Sequence, residues 1–400
     1  MKTPAATPNG DASARPADEE EFELPEPTTM AGRIAEAARG PARKVRNFAL
    51  VLLAAMIASA PLFYLAGSTA AEGYKALFQG SLGSQYSVGE TLVEAIPLFL
   101  SGLAVALAFQ GGLFNIGVEG QLLVGGLVAG ALGTKLNQPA GVHLVICIAG
   151  AMVAGALWAL IPALLKARRG VHEVITTIMM NYIAFALSRF LVKPDGLLVS
   201  QTQPSATELV KPTAELPVIL GGTRLHAGLY IAILAGIATW YLLFRTPLGF
   251  RIRVVGRNPV AGTFHGFSSS RIIVQTMLIS GALGGLAGAV EVLGVFHRYY
   301  DAFSPGYGFD AIAVALLGSL NPVGVAVSAL FFGILRAGSV ALQAVAGVSR
   351  DMISVFSALV VAFAAAVPLV DRLLARRKRG PAVVDEGPRV DEPLEEASVE

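Results

Sequence analysis

The chain has 400 residues, of which 54% are hydrophobic and 14% charged, with a net charge of +2 and a mean hydropathy of +0.63. Soluble domains carry about 25% charged residues, so the composition argues against a soluble enzyme. The near-neutral balance, with no Lys/Arg stripe among aromatics, argues against nucleic-acid binding. Cys147, the single cysteine, rules out an intrachain disulfide framework or a thiolate metal cluster and reads as a small buried hydrophobe.

Residues 1–40, with "ADEEEFELPEPTT", read as a disordered acidic arm. No basic n-region precedes it, so a removable signal peptide is not expected. Residues 41–372 read as an all-α polytopic membrane domain, and 373–400 as a basic, then acidic tail. A spanning helix needs about 20 mainly apolar residues. The candidates are 48–65, 91–109, 121–136, 142–165, 174–192, 229–244, 272–293, a short one at 309–320, 323–335 and 352–370. That is about ten crossings, several short or broken by glycine. The segment 69–89 is too polar to span and reads as an interfacial helix or loop. Basic clusters at 43–46, 166–169, 245–271 and 372–379 fall on one side of such a chain. By the positive-inside rule that side, with both termini, is cytoplasmic.

Four stretches carry more than hydropathy. The first is "GGLFNIGVEGQLLVGGLVAG", a glycine-jointed break between two spans. Irregular backbone at membrane depth must be buried in protein or line a cavity. Two readings stand side by side. In one, Glu119 bonds freed backbone N–H groups or an arginine and holds the break together. In the other, Asn115 and Gln121 present amides to a neutral, hydroxyl-rich ligand, with Phe114 stacking on it. In the second stretch, "GVHEVITTIMMNYIAFALSRF", Glu173 is expected to pair with Arg169. Thr176, Thr177, Asn181 and Tyr182 there form a polar face, either as glue between helices or as pore lining.

The third stretch, "RTPLGFRIRVVGRNPVAGTFHGFSSSR", lies between two spans. Asn258-Pro259 signals a helix start, which predicts a short helix from Pro259 to about Phe264. Gly249, Gly256, Gly262 and Gly266 punctuate the segment, and positive φ is expected at Gly256. The segment is either a basic loop that anchors topology or a docking knob for a soluble protein. The fourth, "SPGYGFDAIAVALLGSLNPVGVAVSALFFG", parallels the first, with Asp310 in the place of Glu119. Broken segments at matching positions in two halves point to inverted repeats around a transport site; close packing of two glycine-rich helices is the plainer alternative. Phosphate-loop, hydrolase-elbow and zincin motifs are absent from the sequence, so neither an enzyme nor a bound cofactor or metal is expected.

The runs "GLFNIGVEGQ", "HEVITTIMMNYIA", "TPLGFRIRVVGRNPVAG" and "GFDAIAVALLGSLNPVG" resemble the permease subunits of bacterial nucleoside-type ABC importers, within the ribose and branched-chain amino acid permease superfamily. The resemblance covers about 48–370; the long acidic arm departs from the family's short start. It implies a heterodimer with a second related permease, a cytoplasmic ATPase subunit and an extracytoplasmic substrate-binding lipoprotein, all at a cell membrane. It makes Gly256, Arg257, Asn258 and Pro259 the coupling element. The implied cargo is a nucleoside, with simple sugars close behind. The pathway candidates are Phe114, Asn115, Glu119, Gln121, Asn181 and Asp310. Two other classes remain compatible with the residues: an ion-coupled secondary carrier using Glu94, Glu119, Glu291 and Asp310, and a passive channel or scaffold.

Overall fold

The structure is a computed structural model that describes residues 69–346 throughout and scattered residues between 53 and 64 and between 355 and 359. The predicted spans at 48–65 and 352–370 fall largely outside the described residues, and the arm and tail wholly outside them. The described residues are helical and contain no strand, only two isolated bridges.

Helix α1, Ala70–Leu82, forms in the polar segment because Thr69 and Glu72 make a capping box: Thr69 Oγ1 accepts from Glu72 N at 3.2 Å, and Glu72 Oε2 accepts from Thr69 N at 3.1 Å. Those bonds from Thr69 hold the Glu72 carboxyl below its usual pKa. Then follow α2 (Gln85–Gln110), α3 (Val118–Lys135), α4 (Val142–Arg169), α5 (Glu173–Val192), α6 (Gly228–Arg245), α7 (Pro247–Arg257) and α8 (Pro259–Phe264). Helix α9 (Ser269–Glu291) runs on into a π-helical turn, Val292–Phe296, and α10 (Tyr307–Leu317) and α11 (Pro322–Ala346) complete the described part.

Among the described residues, 6 helices are long and apolar enough to cross a membrane, and each contains one of the predicted spans. The predicted span at 121–136 is α3, whose glycines and polar residues dilute its hydropathy. The predicted span at 309–320 is α10. It has 11 residues, about 16 Å at 1.5 Å per residue, which is roughly half a hydrocarbon core. The predicted span at 323–335 is only the first half of α11, which reaches Ala346.

Helices α2, α3 and α9 lie inside, while α4, α5 and α6 turn Leu157, Ile161, Ile175, Ile183, Leu234 and Ile237 outward. Apolar side chains outside and close-packed glycines inside are what a lipid solvent selects. A Cβ on Gly288 of α9 would lie 1.9 Å from the Leu122 carbonyl of α3, and one on Gly285 would lie 2.2 Å from the Ala151 carbonyl of α4. Three helices therefore approach backbone to backbone.

The basic clusters 166–169 and 245–271 lie together at one end of this bundle. There Ser270 donates to the Ala167 carbonyl at 3.1 Å, and α7 lies against the end of α2. At the other end the long segment between α5 and α6 is stitched to the chain that follows α9. Thr207 N donates to Tyr299 O at 2.8 Å, Val210 N to His297 O at 2.8 Å, and Leu216 N to Leu293 O at 2.9 Å. It is thus a packed cap rather than a loose connector.

Overpacking a tight core costs about 1–3 kcal/mol and sometimes more, so Gly288→Val should clearly lower the melting temperature of the detergent-purified protein. Gly221→Val, at a position with nothing within 4 Å of its Cβ, should leave it unchanged. Equal melting of the two variants would contradict the packing described.

Candidate functional site

The break starts where α2 ends. Gly111 N donates back to Ala108 O at 2.9 Å, Gly112 N to Phe109 O at 3.0 Å and Leu113 N to Ala108 O at 3.0 Å, with Gly112 at φ +70°. That left-handed turn is open to glycine at little cost. The chain then climbs back between α5 and α9. Asn115 Nδ2 donates to Ser280 Oγ at 2.8 Å and to Gln121 Oε1 at 3.1 Å. Its Oδ1 accepts from Gly117 N at 3.0 Å and from Gln121 Nε2 at 3.1 Å. Ser280 Oγ in turn donates to the Ala104 carbonyl at 2.7 Å.

Helix α3 begins on Gly117, which has no side chain to cap the first turn. Asn181 of α5 supplies the missing oxygen: its Oδ1 accepts from Gly120 N at 2.9 Å, and its Nδ2 donates to Ile116 O at 2.9 Å. Helix α10 has the same defect, since it begins on Gly306, at φ +94°. Here the oxygen comes from Glu119, whose Oε2 accepts from Gly308 N at 2.7 Å. A carboxylate at a helix N-terminus also complements the helix dipole. A Cβ on Gly308 would lie 2.3 Å from Glu119 N, so the two helix starts cross in backbone contact. The two stretches whose sequences run parallel meet at this crossing.

Around it, Asp310 pairs with Arg336 of α11 at 2.6 Å. The Arg336 guanidinium stands 4.7 Å from the Tyr307 ring centroid, and Tyr307 Oη donates to Glu94 Oε2 at 2.9 Å. Of the six pathway candidates, Asn115, Glu119, Gln121 and Asn181 are buried and bonded within the protein. Phe114 is 52% exposed and its ring lies tilted against that of Phe109, centroids 4.8 Å apart, and the Asp310 side chain is 37% exposed. Those two present a surface. Tyr307, Ser280 and Arg336 escaped the reading of the sequence, although a lone arginine in the apolar run of α11 is a signal in itself; Glu94 was singled out there only as a carrier carboxylate.

A family described as "Branched-chain amino acid transport system / permease component" matches residues 87–365. The chain belongs to this permease family. It is 40% identical over 337 residues to a guanosine ABC transporter permease of Bacillus subtilis, covering 82% of this chain and 95% of the relative. It is 35% identical to a glucose ABC transporter permease of Haloferax volcanii (78% and 85% covered) and 34% identical to a nucleoside ABC transporter permease of Lactococcus lactis (76% and 86% covered). No solved structure matches. The permease is therefore a multi-pass, non-enzymatic membrane subunit of an ABC importer, which works with a separate ATPase and a substrate-binding protein. This membership sets aside the ion-coupled carrier and the passive channel.

In the permease the segment 245–271 differs from expectation in one respect and agrees in another. The helix Pro259–Phe264 is present, with Asn258 Oδ1 accepting from Val260 N at 3.0 Å and Ala261 N at 3.1 Å. The residues before it, however, form a second helix, α7, begun by the Thr246 cap on Gly249 N at 3.1 Å and by Pro247. The Thr-Pro pair was legible as a start signal. Gly256 consequently has helical rather than positive φ; its constraint is proximity, since a Cβ there would lie 2.2 Å from Gln110 O. Positive φ falls on Gly266 instead, at +75°. Arg257 closes α7 and is exposed. Glu173 pairs with Lys166, one turn earlier than the expected Arg169, at 2.8 Å, and also accepts from Phe114 N at 3.4 Å.

Removing the acceptor for a buried N–H costs about 1–3 kcal/mol. Glu119→Ala should thus lower the melting temperature of the purified permease, and Glu119→Gln, which keeps an oxygen for Gly308 N, should restore most of it. Equal loss in both variants would mean that the carboxyl does something other than cap α10.

Proposed function

We propose that this chain forms the translocation path for nucleosides in an ATP-driven importer, paired with a second, related permease, both termini being cytoplasmic. The ATPase docks on the elbow formed by α7 and α8, where Val260 and Phe264 are exposed, the latter by 86%. A lipid-anchored receptor delivers cargo at the opposite end, over the stitched cap.

The observation that carries this reading is the seat of Gly256. Its α-carbon rests against the backbone of Gln110, Gly111 and Gly112, which is the foot of the break. A push on the elbow therefore reaches Asn115, Glu119 and the start of α10 through close-packed backbone, which transmits displacement without slack. The cargo path then runs along the face that exposes Phe114, Phe309 and Asp310, against the second permease. Asn115, Gln121, Glu119 and Asn181 hold the wall of that path from behind. Nucleoside cargo is supported by the likeness to the guanosine and nucleoside permeases. A simple sugar is the second reading, favoured by the glucose permease of Haloferax volcanii.

The complex of the permease with its ATPase, partner permease and receptor, reconstituted in proteoliposomes, should take up guanosine only with ATP and regardless of a protonophore. Gly256→Val should lower that uptake by at least about tenfold, roughly 1.4 kcal/mol in barrier terms, with the ATPase still bound. Uptake at the parental rate would remove the elbow from the coupling route.

A further inference from the structure

Glu94, Tyr307 and Glu291 form a cluster that capping and coupling leave without a role. Glu94 is half-buried on α2, and among the described residues Tyr307 Oη is its hydrogen-bond donor. Glu291 closes the α-helical part of α9, immediately before the π-helical turn. It is 1% exposed, lies within electrostatic reach of Glu94, Arg224 and Arg336, and among the described residues its Oε1 has no hydrogen-bond partner. Buried polar groups are ordinarily satisfied, and an orphan calls for an explanation. A π turn frequently marks a functional site, and an ionisable side chain at membrane depth is a functional candidate by default.

The cluster offers acceptors. Arg336 is already held by Asp310 and Arg224 by Glu90, so among the described residues a phosphate or carboxylate ligand would find no unpaired cation at the cluster. A neutral molecule with O–H or N–H donors would find carboxyl oxygens. Two neighbouring hydroxyls suit one carboxylate, because each oxygen can accept one of them.

We propose that Glu94, Tyr307 and Glu291 form a cargo subsite inside the membrane part of the permease, selective for neutral ligands bearing a vicinal diol. Glu94 accepts the two hydroxyls, Tyr307 orients that carboxylate, and the free oxygen of Glu291 takes a further donor as the path opens. The inference rests on the nucleoside reading above for its choice of probe.

The test uses the reconstituted complex, with guanosine and 2′-deoxyguanosine each loaded to saturation on the receptor. Glu94→Gln and Glu291→Gln keep size and shape, and Tyr307→Phe removes one hydroxyl. Each is expected to lower guanosine uptake by at least about tenfold while receptor-stimulated ATP hydrolysis stays within about twofold of the parent. The parental preference for guanosine over its 2′-deoxy analogue should shrink toward unity in Glu94→Gln. Unchanged uptake, a parallel fall of uptake and hydrolysis, or a preserved preference would each overturn the subsite. If the parent carries glucose and no guanosine, the nucleoside reading fails on its own, and the same variants judge the subsite by glucose uptake against hydrolysis.

Discussion

A helix that starts inside a membrane protein exposes N–H groups that neither water nor its own turn can satisfy. This permease starts two helices that way, α3 and α10, and gives each a glycine N-cap that cannot supply an oxygen. The oxygens arrive from elsewhere, Asn181 for α3 and Glu119 for α10. Because Glu119 itself stands in the first turn of α3, the two caps are in series: α5 holds α3, and α3 holds α10. Much of the interior arrangement depends on that order.

Glycine is what lets the order close. The caps reach their targets only because Gly308 admits Glu119, Gly120 admits Asn181, and α9 passes α3 and α4 at backbone distance through Gly281, Gly285 and Gly288. The residues that weaken a helix in isolation thus bring its polar partners within bonding range. The same device joins the break to the elbow, through Gly256 against Gln110 and Gly112, so the site and its proposed drive share one mode of contact.

Much of this was legible in the residues. Hydropathy marked the six long helices, and Asn258-Pro259 marked α8. The alternation of glycine and polar residues marked the break. What periodicity cannot carry is partnership across distant segments. Glu119 was visible as a costly carboxyl, but nothing local names Gly308 as its donor, and Lys166 competes with Arg169 for Glu173 on equal terms until the helix phase is known. Gly256 misled for a physical reason: glycine serves both left-handed turns and close approach, and a single sequence does not say which. Helix α7 was overlooked because its glycines read as loop punctuation, whereas both Gly249 and Gly256 mark where other backbone presses in.

The cap on α10 also has a schedule. Glu119 and Gly308 are 189 residues apart, and ribosomes add about 5–20 residues per second, so the carboxyl emerges roughly 10–40 seconds before its donor. Throughout that interval α3 carries at its head an acid whose backbone donor has not yet been made. The permease thus finishes its centre last: the acid of the break gains its backbone donor only when α10, the penultimate described helix, arrives.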